Sequence, residues 1–511
     1  MSLTIRSNNH SQLKEHKIMH KKQFTIGKII ICAILIIMIS VNGIVFANEN
    51  KSTNGKLDVF NIDEFMTNEI ERLNIPGASL AIVKGNKVEY LQGYGVSSPD
   101  GTAMTAQTPV VIGSVSKSFT ALAIMQLVEQ GKITLEDPVQ TVIPWFHLAD
   151  KEASKKITIQ HLLNQTSGLS TIDGQVAISQ GDRTVKEHIQ SLANIELTFP
   201  VGEQYQYSNL NYSILGAVIE EVTHKSYTAY INEYLFEPLE MNNSYADPKD
   251  DINKTIAVGY QTVLGLKMPT EQLNHEGTVA SGYIISSVED MANYMIAQLN
   301  QGQFNGKSIL SANAMNTMHQ PSSLMDNDTY YAMGWEVNDV ITHNGWTENT
   351  YSKVMLDGEY GISLLINSMD YFNLNEYEAI TSGINKLIHH EEPAISTNNP
   401  FMKYIILDMI LLAIITYIVW SAYRIFKPKN RKVTTLKGIF IVVFDVLIPL
   451  LILIGFRQLF GPLSVVTLFA PGIGHLFFLI PLFLLIIGIV KIGTVIVKHK
   501  KNTIDTSAEK V

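Results

Sequence analysis

The first pattern in the sequence that could support chemistry is a serine and a lysine three residues apart, Ser114 and Lys117. The apolar residues that follow recur at helical spacing and Gly131 ends the run, so the pattern predicts a helix that begins at this pair. Positions three apart on a helix share a face. A serine hydroxyl becomes a good nucleophile when a neighbouring base takes its proton, and a lysine can be that base. The pair alone is weak evidence, because Ser11 and Lys14 have the same spacing.

Two further short patterns fit the same chemistry. Tyr207 and Asn209 flank Ser208 in a predicted loop before a helical run, and His343 and Gly345 stand at the end of a predicted strand. Each pattern recurs elsewhere in the chain and is weak by itself. Asn209 has an alternative interpretation as a helix cap. For His343 the alternative is a strand-end histidine bonded to backbone.

The elements around these patterns predict strands at both ends of a domain and helices between them. Residues 60–74 have the pattern of an amphipathic helix, and residues 78–95 that of two strands around a turn. Residues 110–300 are mostly helical in pattern, strands return from Tyr331, and a helix is predicted over 374–388. The pattern predicts an α+β fold: an antiparallel sheet flanked by helices, interrupted by a mostly helical region.

Four apolar segments point to a membrane. One lies within residues 1–47 after a basic stretch, and it is either a signal peptide or an uncleaved anchor. The others, over 401–423, 438–456 and 476–497, are each about long enough to cross a bilayer. A basic stretch follows the first of these three and another follows the third. Such stretches lie on the cytoplasmic side of a membrane, so residues 48–390 are expected on the outside. The expected location is the cell membrane, with a multi-pass anchor and an extracytoplasmic domain.

Charge supports the same division. Residues 51–400 carry 41 acidic and 19 basic side chains, a net of −22, whereas the rest of the chain has a net of +13. An acidic outer domain is a poor binder of nucleic acid. The only cysteine, Cys32, lies in the first apolar segment, so the outer domain has no disulfide. The chain therefore divides into five parts: a signal peptide or anchor over 1–47, an extracytoplasmic domain over 48–390, a linker over 391–400, three transmembrane helices within 401–497, and a cytoplasmic tail over 498–511.

Two carboxylates fall inside predicted spans, Asp408 near the outer end of one and Asp445 deeper in another. Burying a carboxylate in a bilayer costs free energy, so such a residue is a candidate for function or for helix pairing. Asp408, near the end of its span, is placed to reach the lipid headgroups instead. The His-rich stretch over 389–393 lacks the spacing of a zinc site, and the sequence has no Gly-rich phosphate loop. Neither a metal nor a cofactor is expected.

The order of these motifs along the chain and the residues that flank them resemble the serine β-lactamase and D-Ala-D-Ala peptidase superfamily. The resemblance is to its class C β-lactamase-like branch of penicillin-binding-protein-like serine hydrolases in particular. The resemblance covers about residues 60–390 and not the C-terminal spans. The segments that carry it are VIGSVSKSFTALAIMQLVEQGKITLEDPV, HLLNQTSGLS, YQYSNLNYSILGAVIEEVT, YLFEPLEMNNSY and HNGW.

The resemblance implies a catalytic set. Ser114 would form an acyl-enzyme, while Lys117 and Tyr207 would share its proton and pass it to the leaving group. Ionising a tyrosine at pH 7 costs roughly 4 kcal/mol. A lysine ammonium about 4 Å away returns on the order of 4 kcal/mol at an effective dielectric of 20. Either residue can therefore be the base, and the sequence leaves that choice open.

The resemblance also implies binding roles. Asn209 would hydrogen-bond the acyl side chain of the substrate, and the backbone N–H groups of Ser114 and Trp346 would form an oxyanion hole. His343 and Gly345 stand where many relatives carry Lys-Thr-Gly. A histidine is mostly neutral at pH 7, so recognition of a substrate carboxylate at this position is in doubt.

The expected function is that of a membrane-anchored serine hydrolase acting on cell-envelope peptides or D-alanyl esters, with membrane lipid as its other partner. Alternatives are a genuine β-lactamase, a sensor that is acylated at Ser114 without turnover, and an inactive scaffold. A sensor would be expected to carry a cytoplasmic effector, and the predicted cytoplasmic parts are short. The intact Ser, Lys and Tyr set argues against a scaffold.

Overall fold

The computed structural model describes residues 57–179, 183–247, 256–271, 273, 275–394, 396, 399–426 and 435–508. The predicted signal peptide or anchor over 1–47, with Cys32 inside it, lies outside these residues. The described parts of Leu57–Ala394 and Pro400–Val511 belong to one compact unit. The N-terminal domain and the C-terminal apolar helices can therefore be described together.

An antiparallel sheet of eight strands forms the centre of the N-terminal domain. Along the chain the strands are β1 (Gly77–Lys84), β2 (Lys87–Gly95), β3 (Val110–Val111), β4 (Gly259–Val263), β5 (Leu266–Thr270), β6 (Ile285–Ser286), β7 (Gln303–Phe304), β8 (Lys307–Ser308), β9 (Ser323–Asp326), β10 (Thr329–Tyr331), β11 (Glu336–Val337), β12 (Ile341–Trp346), β13 (Tyr351–Asp357), β14 (Tyr360–Ile366) and β15 (Ser368–Met369). The order in the large sheet is β2-β1-β14-β13-β12-β11-β10-β9. Strands from the two ends of the domain thus lie side by side, which confirms the predicted fold class.

Helices occupy the middle of this domain and the C-terminal part of the chain. They are α1 (Val59–Leu73), α2 (Ser116–Glu129), α3 (Val139–Val142), α4 (Lys151–Ser154), α5 (Ile159–Leu163), α6 (Thr171–Ile178), α7 (Val185–Gln190), α8 (Asn209–Thr223), α9 (Tyr227–Ile231), α10 (Val279–Gly282), α11 (Val288–Leu299), α12 (Ala312–Met318), α13 (Leu374–Ile388), α14 (Pro400–Phe426), α15 (Thr435–Phe440), α16 (Ile448–Ile454), α17 (Phe456–Phe460), α18 (Leu463–Phe469) and α19 (Ile473–Ala508). The predicted helices over 60–74 and 374–388 correspond to α1 and α13.

Both faces of the sheet are covered by helices. Successive strand residues point to opposite faces. In β1, Leu80 and Ile82 pack in a cluster with α1 and α13. Ala81 and Val83 face a larger cluster that includes α2, α8 and α11. Burial on both faces explains why β1 is apolar at most positions rather than alternating.

The helix α2, which follows the Ser-x-x-Lys motif, runs through the interior of the domain. All of its residues from Ser116 to Leu127 are buried. It packs against α8 and α10, which come from distant parts of the chain. This packing brings the segments that carry the predicted motifs together next to strand β12.

The C-terminal helices are apolar enough to span a membrane. Pro400–Ile425 and Ile473–Val497 each have the length and hydropathy of a span. Between them, Gly438–Ile454 and Phe456–Phe469 pass the same test together, with a bend of 66°. The predicted second span over 438–456 therefore ends at a bend near Gly455, and the chain continues in a new direction as α17 and α18.

Asp445, the deeper of the two carboxylates in the predicted spans, joins these C-terminal helices. It is fully buried, accepts a hydrogen bond from the hydroxyl of Tyr417 at 2.8 Å, and forms an ion pair with Lys491. A buried carboxylate with a cationic partner holds helices in a fixed register, while the loss of either partner leaves an uncompensated charge. The geometry favours the helix-pairing interpretation of Asp445.

Candidate active site

Ser114 lies in a single 3-10 turn, Gly113–Val115, directly before α2. Gly113 has a φ of 53°, in the left-handed region that glycine adopts without strain. The hydroxyl of Ser116 donates to the carbonyl of Gly113 at 2.7 Å and accepts from the amide of Ile284 at 3.0 Å. These bonds hold the turn rigidly, while the side chain of Ser114 stays partly exposed.

The structure brings Ser114, Lys117 and Tyr207 together. The Nζ atom of Lys117 lies 2.8 Å from the Oγ atom of Ser114, one helical turn away. The hydroxyl of Tyr207 reaches the same Oγ atom at 2.8 Å, from the loop before α8. A hydroxyl with two proton-carrying groups in hydrogen-bond contact has the geometry of an activated nucleophile.

Lys117 is fully buried and surrounded by oxygen atoms without a formal charge. Besides Ser114, its Nζ atom contacts the Oδ1 atom of Asn209 at 2.8 Å and the carbonyl oxygen of Ser281. Burial lowers the pKa of Lys117 well below its ordinary value of 10.5. The surroundings therefore favour the neutral amine.

Three oxygen neighbours fit a neutral lysine. A neutral amine has two N–H donors and one lone pair. Asn209 and Ser281 offer only acceptor oxygens here, so they take the two donors. The lone pair is left for the remaining neighbour, the hydroxyl of Ser114, whose proton it can accept.

Burial acts on Tyr207 in the opposite sense. It raises the pKa of this phenol well above 10, and the hydrogen bond with Ser114 offsets the rise only in part. Tyr207 is therefore protonated and placed as a proton donor to the Oγ atom of Ser114. Of the two assignments that the sequence left open, the environment favours Lys117 as the base.

A buried glutamine, to which the sequence analysis assigned no role, holds the Tyr207 loop. Gln165 is fully buried with a φ of 58°. Its side-chain oxygen accepts the backbone N–H of Ser208 at 2.9 Å, and its carbonyl accepts that of Gln206 at 2.8 Å. The signal was present in the sequence, because Gln165 lies in the HLLNQTSGLS segment. Ser281, in contrast, acts through its backbone and has no signal of its own.

Asn209 contacts Lys117 rather than capping a helix. It is the first residue of α8, and Ser208 occupies the N-cap position. Its Oδ1 atom accepts from Lys117. The helix-cap interpretation of Asn209 is therefore wrong, and its side chain belongs to the cluster around Ser114.

The turn before α2 and the strand β12 approach each other through glycine. An ideal Cβ atom on Gly345 would lie 2.1 Å from the carbonyl oxygen of Ile112 and 2.9 Å from the amide nitrogen of Ser114. One on Gly113 would lie 2.4 Å from the amide nitrogen of Trp346. Any side chain at these positions would push the backbones apart. The close approach brings the amide nitrogens of Ser114 and Trp346 near the same two glycines, at the place where an oxyanion hole is expected.

His343 is buried behind the reacting groups, with 1% of its surface exposed. Its Nδ1 atom donates to the carbonyl of Asn344, and its Nε2 atom lies 3.4 Å from the hydroxyl of Tyr331. Burial lowers the pKa of His343 to about 3. The imidazole is neutral at pH 7 and contributes no positive charge to the cleft.

The described residues offer no metal site: within them, no group of three or more His, Cys, Asp and Glu side chains is arranged to hold a metal ion.

Comparison with known proteins agrees with this geometry. Residues 62–380 match the Beta-lactamase family. "Protein flp" of Staphylococcus aureus (strain MRSA252) is 28% identical over 388 residues, 74% of this chain and 77% of that protein. "Penicillin-binding protein 4" of Amycolatopsis lactamdurans is 27% identical over 267 residues, 51% of this chain and 70% of that protein. The structure of an octameric penicillin-binding protein homologue from Pyrococcus abyssi aligns with a TM-score of 0.56 at 27% identity, covering 66% of this chain and 78% of that one.

The matched family covers more than half of the chain, so the chain belongs to the Beta-lactamase family. Its superfamily is that of the serine β-lactamases and penicillin-binding proteins, which the family resemblance predicted. Proteins of this class are serine hydrolases and acyltransferases.

Proposed function

We propose that this protein is a membrane-anchored serine hydrolase that acts on cell-envelope peptides or esters through an acyl-enzyme at Ser114. The observation that carries the proposal is the pair of 2.8 Å contacts that Lys117 and Tyr207 make to the Oγ atom of Ser114. No carboxylate is needed in this arrangement, because a buried neutral amine is already a base.

Acylation begins with proton transfer from Ser114 to the lone pair of Lys117. The Oγ atom then forms a bond with the acyl carbon of the substrate, and the carbonyl oxygen becomes an oxyanion. The N–H groups of Ser114 and Trp346 stabilise this charge. In enzymes of this kind a single such donor is worth about 10²–10³ in rate.

Expulsion of the leaving group requires a proton on its oxygen or nitrogen. Tyr207 supplies that proton, and the phenolate is reprotonated by the ammonium of Lys117, which lies 4.9 Å from the Tyr207 ring centroid. The bond to the leaving group breaks as the acyl bond to Ser114 persists. Water then attacks the acyl-enzyme with the same groups in the reverse roles, which restores Ser114 and releases the acid.

The neutral His343 favours esters over peptides with a terminal carboxylate. A lysine at this position would supply a fixed cation for such a carboxylate, whereas His343 is buried and uncharged. Binding a carboxylate beside it would leave a buried charge without a partner. We therefore place D-alanyl esters ahead of D-Ala-D-Ala peptides as substrates.

The anchor follows from the apolar C-terminal helices and the charge distribution. With three crossings, the N-terminal domain would lie outside the cytoplasm and the basic segments inside. The test of that topology is cysteine labelling in whole cells: a cysteine in place of Ser98 should react with a membrane-impermeant maleimide, and one in place of Ser507 should not.

Intact-mass spectrometry of the full-length protein in detergent tests the reaction. The protein is mixed with a D-alanyl ester or with penicillin, and free substrate is followed in the same tube. Release of D-alanine with a transient adduct on Ser114 is expected, and Ser114→Ala should remove both. A lasting penicillin adduct without any ester turnover would point instead to a sensor. Rapid loss of penicillin without an adduct would make the protein a β-lactamase. Ester turnover that survives Ser114→Ala would overturn the proposal.

A further inference from the structure

The segment α17–α18 (Phe456–Phe469), between the second and third apolar helices, lies against the candidate active site. The rings of Phe469 and Trp346 meet edge to face, with centroids 5.1 Å apart and planes at 82°. Phe469 is 8% exposed. Because Trp346 supplies one N–H group of the proposed oxyanion hole, Phe469 packs on a residue next to the reacting atoms.

The same segment contacts the other side of the cleft. An Nη atom of Arg457 lies 3.8 Å from a carboxylate oxygen of Asp173 in α6, and α18 packs against α6. In turn, α6 packs closely on the beginning of α8: an ideal Cβ atom on Gly174 would lie 2.8 Å from the amide nitrogen of Asn209. The segment therefore connects the Trp346 side of the cleft with the Asn209 side.

A third contact fixes the segment to the N-terminal domain. The side-chain amide of Gln261 in β4 donates to the carbonyl of Leu468 at 2.6 Å. Directly after the segment, an ideal Cβ atom on Gly472 would lie 3.0 Å from a methyl group of Val263. With contacts to β4, α6 and β12, the segment is part of the domain's surface rather than a free loop.

The other face of the segment is apolar and exposed. Leu459 is 63% exposed, Phe460 41% and Leu463 38%. The segment continues directly from the apolar helix α16 and leads into α19, which is by itself long and apolar enough to cross a membrane. The first span, α14, begins at the domain as well, where the hydroxyl of Tyr404 donates to Asp370. Lipid at the membrane surface is the occupant that fits this face, since spans adjoin it at both ends.

From these contacts we infer that α17–α18 is a wall of the substrate cleft and that the protein takes an amphiphilic substrate, an acyl ester on a lipid-anchored carrier, from the membrane surface. The inference rests on the proposed hydrolase function. One side of the segment faces the substrate cleft and the other faces lipid. A scissile bond close to a lipid headgroup can therefore reach Ser114 while the lipid tails of the substrate stay in the membrane. Phe469 is the specificity-determining residue, because it is the residue of this wall whose ring contacts Trp346.

Two esters with the same reactive bond test the inference. The full-length protein in phosphatidylcholine vesicles is given O-D-alanyl phosphatidylglycerol in the same vesicles, or O-D-alanyl glycerol phosphate in solution. Release of D-alanine is measured, and kcat/KM is expressed per bulk concentration. We expect a ratio of lipid-linked to soluble ester of at least about 100.

Substitutions separate a built wall from simple co-localisation in one membrane. Phe469→Ala should lower the ratio of lipid-linked to soluble ester by about tenfold. A factor of this size is what one apolar contact contributes to the discrimination between two substrates. Phe469→Leu should lower it less, and it provides a second variant if the alanine protein does not fold. Ile489→Ala, an exposed position on α19, is the matched control and should leave the ratio unchanged.

Each result is decisive. Equal rates for the two esters overturn this inference and leave the proposed hydrolase intact. A high ratio that both Phe469 variants preserve attributes the preference to co-localisation and overturns the role of the segment. Failure to release D-alanine from either ester overturns the proposed ester hydrolase and, with it, this inference.

Discussion

Two buried lysines of the N-terminal domain, Lys117 and Lys267, have opposite surroundings. Lys117 contacts the uncharged oxygen atoms of Ser114, Asn209 and Ser281, and burial lowers its pKa well below the ordinary value. Lys267 in β5 contacts the carboxylate of Asp370 at 3.3 Å and the hydroxyl of Tyr377 at 2.9 Å. Burial alone would lower the pKa of Lys267 too, but Tyr377 and Asp370 outweigh it and the pKa is raised.

The difference between the two lysines lies in their partners, not in their burial. Lys267 keeps its charge and holds Asp370, which also accepts from Tyr404 at the beginning of α14. It is therefore a structural cation at the point where the first apolar helix meets the domain. Among the described residues no carboxylate pairs with Lys117, which is left as a base beside a nucleophile. The same residue type thus serves structure in one region and chemistry in the other.

Replacing each lysine by methionine is the strongest way to break this comparison. Lys117→Met removes the general base, so kcat/KM for ester hydrolysis should fall by about 10³-fold or more. Lys267→Met should change kcat/KM by less than about threefold per folded molecule, since it touches no reacting group. Ester turnover by the full-length protein in detergent measures both. Similar losses in the two variants would contradict the assignment of Lys117 as the base.

The structural role of Lys267 predicts a large effect on stability instead. Asp370→Ala leaves a buried ammonium without its carboxylate, and the free energy of unfolding should fall by about 3 kcal/mol. Thermal unfolding in detergent measures the change. The matched control is Asp370→Ala combined with Lys267→Met, which removes the unpaired charge and should recover most of the loss. A double variant as unstable as the single one would show that the ion pair is not the cause.

Tyr207→Phe tests the division of labour inside the catalytic cluster. Loss of a proton donor should lower kcat/KM by about 10²-fold for an alkyl ester, whose leaving group needs a proton. A phenyl ester leaves as a stable anion and should lose far less. Rates for the two esters with the same acyl group give the answer. An equal loss for both would mean that Tyr207 positions Ser114 rather than protonating the leaving group.

The smallest expected effect concerns the pH dependence of kcat/KM. Only neutral Lys117 accepts a proton, so kcat/KM should rise with pH and level off above the pKa of Lys117, which burial places well below 10.5. His343, with a pKa of about 3, is neutral throughout the range from about pH 5 to 8 and should add no limb there. The apparent pKa in the kcat/KM profile of the His343→Asn variant should therefore stay within about 0.3 units of the value for the unsubstituted protein. A shift of a full unit would reveal a charged imidazole.

The site was largely predictable from short patterns because its parts are local. The spacing of Ser114 and Lys117 puts both on one face of a helix, and the structure has them 2.8 Å apart. The loop with Tyr207 and the strand with Gly345 lie where their patterns placed them. What these patterns left open was the proton, since a pKa depends on neighbours from remote segments. Asn209 and Ser281 supply those neighbours, and Ser281 does so through a carbonyl that every residue has.

By itself the sequence determined the fold class and the apolar segments and pointed to the side chains that meet at Ser114, because periodicity, residue type and length are local properties. Tertiary structure alone decided which partners surround each lysine: uncharged oxygen atoms around Lys117 and the carboxylate of Asp370 beside Lys267. It also decided that the second apolar segment bends at Gly455 and carries Phe469 to Trp346. Hydropathy reports that a segment prefers lipid and not which surface it packs on. That choice depends on contacts between residues far apart in the chain, which form only once the whole fold is in place.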